Sequence, residues 1–295
     1  MNSRAGSVSP RTKEVIIKAL SADFKLEAVD TAARGHASDL ARSAVDDGFD
    51  AVVAFGGDGT INEAAQGVVR TEVPLGIIPG GTTNVVARSL GIPRDPVEAT
   101  AYLASRLRTN TVRRIHVGSL NGRYFIFSSG LGLDAEVIKR VEQDPEGKRR
   151  NSDRTFLKNA FGTGFTRYRG MEPQVRLTVD GAEPERVLFA ICCNGRPLTY
   201  YKRFPVDALP HARLDGGLDF LAMTKIHAST IPRIVWAIFV SRAHVKWRNS
   251  RYFHDVEGAT IEADSPMPVQ VDGDYIGEET HVRIDLVKGA LDLFV

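Results

Sequence analysis

The stretch DAVVAFGGDGTINEAAQGVV, residues 50–69, decides the fold of the first half of the chain. Its apolar run at 51–55 predicts a buried strand, and the spacing of apolar residues at 61–69 predicts an amphipathic helix. Three glycines surround one carboxylate at the turn between them: Gly56, Gly57 and Gly59 around Asp58. The turn matches neither G-x-x-x-x-G-K-[ST] nor G-x-G-x-x-G, so the common nucleotide fingerprints do not explain it.

Length and composition indicate an ordinary globular protein with room for two domains. The chain has 295 residues, of which 43% are hydrophobic and 25% charged. A net charge of only +2 argues against nucleic acid as a partner. Adjacent Cys192 and Cys193 fall on a predicted strand and read as reduced core residues. The polar start and the lack of a long apolar run predict a cytoplasmic protein.

Strand and helix signals alternate along the first 110 or so residues. Helices are expected at 12–20, 36–46, 61–69 and from 82 onward, and strands at 25–29, 51–55 and 75–78. This alternation predicts a doubly wound, parallel α/β sheet. Beyond about residue 112, seven short segments have strand character, at 124–128, 174–179, 187–193, 218–222, 260–263, 269–271 and 282–286. Helical signals interrupt them at 156–166 and 231–240, so the second half is expected to be mainly β.

The glycine-rich turn has the chemistry of a phosphate site. Glycines let backbone N–H groups approach an anion closely, and the following helix dipole adds to the attraction. Asp58 would repel a phosphate unless a cation lies between them, and Mg²⁺ binds both groups. The alternative is a strand–helix connection with a capping box, since Thr60 and Glu63 have T-x-x-E spacing. That alternative leaves three glycines and Asp58 unexplained.

PLGIIPGGTTN, residues 74–84, repeats the architecture. A strand is followed by Pro79, two glycines and the residues Thr82, Thr83 and Asn84, which open a helix. Ligands of open α/β sheets bind at the carboxyl ends of the strands, where both turns are expected. The two turns together favour a nucleotide site.

The motifs, taken in order, resemble the diacylglycerol kinase and sphingosine kinase superfamily, and its bacterial lipid kinases in particular. The resemblance rests on GGDGTINE, IPGGTTNVVARSLGIP, SSGLGLDAEV, CNGRPLTYYKRFPVDALPHARLDGGLDFL and VQVDGDYIGE, which span nearly the whole chain. It implies an ATP-binding α/β domain over 1–112, Rossmann-like and similar to those of NAD kinase and phosphofructokinase. It also implies a β-sandwich lipid-substrate domain over 113–286, an active site in the cleft between the two, and a C-terminal segment, 287–295, that returns to the first domain.

The same resemblance implies roles for individual residues. Asp274 lies where the family has its general base, normally a Glu, and Asp58 would act with Mg²⁺ in catalysis. A structural Mg²⁺ site would use the carboxylate of Asp215 and the backbone carbonyls of Ala212 and Gly217. The expected ATP-binding residues are Asn2, Gly6, Thr31, Gly56, Gly57, Asp58, Gly59, Thr60, Asn62, Glu63, Gly81, Thr82 and Asn84.

Two departures from the family pattern matter. The loop NSRAG, residues 2–6, resembles the family's phosphate loop, yet the apolar strand that should precede it is absent. Loss of a central strand would cost more than a typical stability margin, so the native start is expected several residues upstream. The second departure is Val85, which stands where many members have Asp.

Basic stretches suggest contact with a membrane surface. Residues 225–251 contain six Lys or Arg and no acidic residue, with Trp236 and Trp247 interleaved. Such a surface suits anionic lipid, although a core helix with a solvated basic face is an alternative.

The sequence therefore predicts an ATP- and Mg²⁺-dependent lipid kinase that phosphorylates diacylglycerol or a related lipid, in lipid metabolism or phospholipid biosynthesis. A soluble-substrate kinase and a catalytically silent binding protein are the alternatives. The oligomeric state is left open, a homodimer included.

Overall fold

The structure is a computed structural model that describes residues 1, 9–143, 162, 168, 170–227 and 231–295. Its helices are α1 Pro10–Ser21, α2 His36–Asp46, α3 Asp58–Val68, α4 Val85–Ser89, α5 Pro96–Thr109, α6 Leu133–Glu142 and α7 Ile231–Trp236. Its strands are β1 Val52–Gly56, β2 Leu75–Pro79, β3 Val112–Leu120, β4 Arg123–Phe125, β5 Ser128–Leu131, β6 Val175–Val179, β7 Glu185–Val187, β8 Ala190–Cys193, β9 Thr199–Tyr201, β10 Phe204–Val206, β11 Leu218–Met223, β12 Ser250–Val256, β13 Gly258–Val271 and β14 Asp274–Phe294.

The chain forms two compact units, Met1–Val117 with Lys288–Val295, and Gly118–Val287. The boundary placed at 112 in the sequence falls at the start of β3, a strand that contributes residues to both units. The last residues of β14 belong to the first unit, where Leu293 pairs with Leu75 of β2.

The first unit is a mixed α/β domain, as predicted. Strands β1 and β2 are parallel, with Val52 opposite Leu75 and Gly56 opposite Pro79. Helix α2 packs on α3, and α1 packs on α5. Local chemistry sets the helix starts: the carboxylate of Asp95 accepts the N–H groups of Val97 and Glu98, and Pro96 opens α5.

A groove of about 240 Å³ borders β1 in the first unit. Its walls are mainly apolar and include Ile16, Leu40 and Val52. Within the described part of the chain, β1 pairs with β2 alone. The backbone of Met1 lies beside residues 29–31, donating to the Val29 carbonyl at 2.7 Å and accepting from the Thr31 N–H at 2.9 Å. The groove therefore lies along the edge of β1.

The second unit is mainly β, as predicted. The long strand β13 pairs antiparallel with β14, β5 and β6, and β5, β8, β11 and β12 continue the antiparallel pairing. Its core contains Phe125, Phe220 and Ile261, all fully buried. Cys192 and Cys193 are both buried free thiols, which confirms their prediction as reduced core residues.

The structure describes only one of the two predicted helical interruptions in full. The one at 156–166 lies outside the described residues, apart from residue 162. The one at 231–240 forms as α7 and continues as a π-helix, Ala237–Ser241. No helix in the described part of the chain is long and apolar enough to cross a membrane.

Candidate active site

The two glycine-rich turns of the first unit pack directly on each other. The N–H of Gly80 donates to the carbonyl of Gly56 at 2.7 Å, which extends the β1–β2 pairing into the turns. A Cβ placed on Gly81 would lie 2.8 Å from the Cα of Gly57. Because no side chain fits in that space, the sequence needs glycine here for backbone-to-backbone approach.

Asp58 joins the two turns. It is the first residue of α3, and its Oδ1 accepts the N–H of Val86 in α4 at 3.1 Å. Burial raises the pKa of the Asp58 carboxyl, while hydrogen bonds from the backbone N–H groups of Val85, Val86 and Asn84 act in the opposite direction. The carboxylate therefore holds the second turn against the first, in addition to any role toward a cation.

Asn84 shapes the second turn through its side chain. Its backbone is left-handed, with φ of 49°, and the side chain is buried. The Oδ1 of Asn84 accepts the N–H of Gly81 at 2.9 Å, and the Nδ2 donates to the Gly81 carbonyl at 2.8 Å. Thr82 beside them is exposed, so this turn offers a hydroxyl at its surface.

The other expected nucleotide residues divide into buried and accessible groups. Thr60 is buried beneath Gly56, where an added Cβ would lie 2.7 Å from the Thr60 Oγ1. Asn62 is also buried, and its Oδ1 accepts from the Gln66 Nε2 at 3.3 Å. Gly57, Gly59, Glu63 and Thr31 remain partly accessible. Asn2 and Gly6 lie outside the described residues.

The capping-box interpretation of the first turn is wrong. Helix α3 begins at Asp58, and its N-cap is Gly57, which carries no side chain to cap with. Thr60 therefore lies within the helix and cannot cap its start. The glycine-rich sequence lets the helix begin three residues earlier than a Thr60 cap would.

The motif VDGD forms a hairpin in the second unit. Asp272 and Gly273 are the two central residues between β13 and β14, with φ of 46° and 83°. Two left-handed residues form the turn that matches strand twist. The motif is therefore a hairpin turn, and Asp274 is the first residue of β14.

Asp272 ties this hairpin to the neighbouring chain. Its carboxylate accepts three consecutive backbone N–H groups, from Ile126 at 2.7 Å and from Phe127 and Ser128 at 2.9 Å each. Sequence reasoning missed this role because it assigned function only to the second Asp of the motif. The signal available was Asp before Gly in a turn, where Asp tolerates a left-handed backbone.

Asp274 is partly buried next to a cation. The Nη2 of Arg123 lies 3.4 Å from its Oδ2, and a quarter of the Asp274 side chain is exposed. Arg123 comes from β4 and was not singled out in the sequence. A carboxylate with one accessible side can accept a proton from a hydroxyl that reaches it.

A second carboxylate, Asp134, is linked to the same hairpin. The Nε2 of Gln270 donates to Asp134 Oδ2 at 2.9 Å, and the Oε1 of Gln270 accepts the N–H of Gly273 at 2.9 Å. Burial raises the pKa of Asp134 to about 6, against the opposing hydrogen bond from Gln270. The residue as a whole keeps some solvent exposure, but its Oδ1 is buried and has no partner among the described residues.

The expected structural Mg²⁺ loop lies in the second unit. Asp215 is mostly exposed, with the Arg213 Nε 3.8 Å from its Oδ1. The N–H of Gly217 donates to the Asp255 Oδ1 at 2.6 Å, which holds the loop against β12. A carboxylate and two carbonyls are oxygen donors of the kind that Mg²⁺ prefers, so the residues fit the ion chemically. Within the described residues, no three His, Cys, Asp or Glu side chains form a metal-binding group.

Comparison with known proteins identifies the class. The sequence profile of the diacylglycerol kinase catalytic domain matches residues 1–120. A Staphylococcus haemolyticus protein named as a lipid kinase is 30% identical over 258 residues, covering 83% of this chain and 76% of its own. A diacylglycerol kinase of Bacillus subtilis is 27% identical over 275 residues, covering 90% and 84%. The chain belongs to the diacylglycerol kinase and lipid kinase family.

A solved structure supports the fold independently. A crystal structure from Bacillus anthracis, described as that of a diacylglycerol kinase, superposes with a TM-score of 0.78. It is 24% identical and covers 99% of this chain and 92% of its own. The likeness covers nearly the whole chain and establishes the family's fold for this protein.

Proposed function

We propose that this protein is an ATP- and Mg²⁺-dependent kinase that transfers the γ-phosphate to the hydroxyl of diacylglycerol or a related membrane lipid. One observation carries the proposal: the backbone contact between Gly57 and Gly81, with Asp58 bound across it to Val86. This contact brings two strand ends and two helix starts together, and the amides at the start of α3 are the groups of a helix N-terminus that suit a phosphate. Family membership supplies the reaction class.

In the proposed reaction the first unit binds nucleotide. Backbone N–H groups of the first turn, around Gly57 and Gly59, would bind phosphate oxygens, and exposed Thr82 of the second turn would add a hydroxyl. Asp58, and separately Asp215 with the carbonyls of Ala212 and Gly217, would hold Mg²⁺. When bound near the phosphates, the ion neutralises the charge that develops during transfer.

The second unit would supply the base. The transfer forms a bond between the lipid hydroxyl oxygen and the γ-phosphorus, breaks the bond to the β–γ bridging oxygen, and releases ADP. Asp274 would take the hydroxyl proton as that bond forms. The hydrogen bonds of the Asp272 carboxylate and of the Gln270 amide hold the hairpin in place. These two residues would therefore orient Asp274 without touching substrate.

The test is transfer of labelled γ-phosphate from ATP into the organic-soluble fraction, with Mg²⁺ and mixed micelles of diacylglycerol and sphingoid lipid. We expect label in lipid with the unaltered protein and a loss of about a hundredfold or more in Asp274→Asn. Label that enters only a water-soluble acceptor would replace the lipid with a soluble substrate. ATP binding without any turnover would make the protein a silent binder.

A pair of substitutions at Asp58 separates its two roles. Asp58→Asn keeps an oxygen for the Val86 N–H but removes the charge, whereas Asp58→Ala removes both. If the charge serves a cation, both variants lose transfer, and Asp58→Asn keeps more of its stability than Asp58→Ala does. Full activity in Asp58→Asn would limit Asp58 to holding the turn.

One further experiment concerns the groove beside β1. We propose that five apolar residues of strand character placed before Met1 would pair with β1 and support the nucleotide turn that follows β1. The same assay is run with and without this extension. Equal melting temperature and equal activity in both forms would contradict a strand in the groove.

A further inference from the structure

Exposed apolar residues cluster on one surface of the second unit. The hairpin β9–β10 exposes Phe204, and the helical segment 231–241 exposes Trp236 and Val240, at 51%, 63% and 58% of their surface. The hairpin and the π-helix pack together, with Tyr201 against Phe239 at a ring-centroid distance of 6.4 Å. Three of the six large apolar residues most exposed among the described residues therefore lie on two elements in contact.

Basic side chains surround these apolar residues. Lys202 and Arg203 form the hairpin tip, and Arg203 lies over the ring of Phe204 at 5.2 Å. Arg242 ends the π-helix, and residues 225–251 contain six Lys or Arg without an acidic residue. The nearby Asp207 is buried, and its Oδ2 accepts Arg242 at 2.8 Å. The exposed charge of this surface is therefore positive.

The aromatic–basic surface, defined as Phe204, Trp236 and Val240 with Lys202, Arg203 and Arg242, has the composition of an interfacial membrane anchor. Aromatic rings favour the headgroup region, and cations beside them attract anionic lipid. The packed core does not need these side chains, since the same helical segment buries Ala237 on its other side.

We propose that the aromatic–basic surface docks this protein on bilayers that contain anionic lipid. Phe204, Trp236 and Val240 enter the headgroup region, and Lys202 and Arg203 at the hairpin tip contact lipid phosphates, while Arg242, paired with Asp207, lies at the edge of the surface. The proposal rests on the proposed function only in that a lipid substrate would lie in the same bilayer. Docking itself needs neither ATP nor turnover.

Tryptophan fluorescence tests the proposal directly. The chain has two tryptophans, Trp236 and the partly buried Trp247, so Trp247→Phe leaves Trp236 as the reporter. We expect a blue shift of Trp236 emission with vesicles of phosphatidylcholine and phosphatidylglycerol, and little shift with phosphatidylcholine alone. An unshifted spectrum on anionic vesicles that do bind the protein would overturn the docking mode.

Flotation with the same vesicles measures affinity. The variant Phe204→Ser with Trp236→Ser is expected to bind about tenfold more weakly or worse, and Arg203→Glu to lose the preference for anionic lipid. The matched control is Val97→Ser, which alters a 49% exposed apolar residue on α5 of the first unit. Unchanged binding in the double variant, or equal loss in the control, would refute the surface.

Two further measurements distinguish membrane docking from other uses of the aromatic–basic surface. Activity toward a short-chain lipid dispersed below its micelle concentration should be unchanged in Phe204→Ser with Trp236→Ser; a loss there would assign the surface to the substrate pocket. Light scattering gives the mass in solution, and a dimer that dissociates only in the double variant would make the surface a contact between two copies. Failure of the kinase assay leaves the flotation result intact, so the two proposals fail separately.

Discussion

The candidate site of the first unit is formed mainly by backbone, whereas that of the second unit is formed mainly by side chains. The first unit uses backbone: Gly81 approaches the Cα of Gly57 so closely that a Cβ on Gly81 would lie 2.8 Å from it, and Asp58 accepts the N–H of Val86 from the second turn. The second unit uses side chains: Asp272 clamps three N–H groups, and Gln270 bridges Asp134 to the hairpin. A backbone site tolerates no added Cβ at its point of closest approach, here Gly81, whereas a side-chain site depends on charge and on the identity of each polar atom.

The largest effects should come from the two aspartates of the hairpin, which separate stability from turnover. Asp272→Asn puts an amide NH₂ where an oxygen accepts backbone N–H groups, and should lower the free energy of unfolding by about 3 kcal/mol. Asp274→Asn should change that free energy by less than about 0.5 kcal/mol and still abolish transfer. Urea unfolding and the lipid assay measure the two quantities.

The informative result is that Asp272→Asn mainly loses stability whereas Asp274→Asn mainly loses turnover. Asp272→Asn assayed where it is still folded should lose some turnover but far less than Asp274→Asn, because Asp272 only holds the hairpin through backbone contacts, whereas Asp274 is the group proposed to take the proton. If Asp272→Asn is as stable as the unaltered protein, the three N–H bonds are not what holds the hairpin. If it is stable yet inactive, the roles of the two aspartates are reversed.

The contrast between the units explains what the sequence could reveal. Glycine turns consist of consecutive residues, so GGDGT and PGGTTN are enough by themselves to indicate a phosphate site. The mixed α/β first unit and the mainly β second unit followed from strand and helix periodicity. Asp134 and Gln270, by contrast, are 136 residues apart and meet only through the pairing of β5 with β13. No local pattern encodes that contact.

The same reasoning accounts for the misjudged helix start at α3. T-x-x-E spacing is a local signal, but Gly56 and Gly57 allow the chain to turn into the helix before Thr60 is reached. The buried position of Thr60 under Gly56 is a packing fact that spacing alone does not contain. The sequence likewise pointed to Trp236 in a basic stretch, but the contact between its helical segment and the hairpin, made by Phe239 and Tyr201, depends on tertiary packing.

The next prediction tests the backbone site by comparing the same substitution at its two glycines, Gly57 and Gly81. Gly81→Ala places a Cβ 2.8 Å from the Cα of Gly57, whereas Gly57→Ala places one 3.4 Å from the Cα of Gly81, an ordinary contact. We expect Gly81→Ala to lower the free energy of unfolding by about 2 kcal/mol and Gly57→Ala by less than about 0.5 kcal/mol.

Thermal or urea unfolding of the two variants under identical conditions decides this. Equal losses would show that chain flexibility, rather than the close approach, explains both glycines. If Gly81→Ala is as stable as the unaltered protein, the two turns are further apart in solution than the structure has them.

The smallest expected effect concerns two partly buried carboxylates whose surroundings differ. Burial raises the pKa of both Asp58 and Asp134, but three backbone N–H groups oppose the shift at Asp58, whereas a single Gln270 amide is the main opposing contact at Asp134. The pKa of Asp134 is about 6 in the folded protein, against an ordinary value of 3.8. Between these values the folded state binds the proton more tightly than the unfolded state does.

The sign of the pH dependence follows from that difference. Stability contributed by protonated Asp134 is complete below about pH 4 and is lost as pH rises toward about 6. Asp134→Asn keeps an oxygen for the Gln270 Nε2 and removes the titration. The variant should therefore gain stability relative to the unaltered protein as pH rises through this window, by about 1 kcal/mol because Asp134 is partly exposed.

Urea unfolding from pH 4 upward measures the difference between the two proteins at each pH. A difference that stays constant would show that Asp134 titrates alike in the folded and unfolded states, and its burial would then have no energetic consequence. A difference that grows in the opposite direction would mean that a cation or a further donor stabilises the charged form. In that case the buried Oδ1 of Asp134 has a partner in solution, and the side-chain site of the second unit contains one more component than its carboxylates and amide.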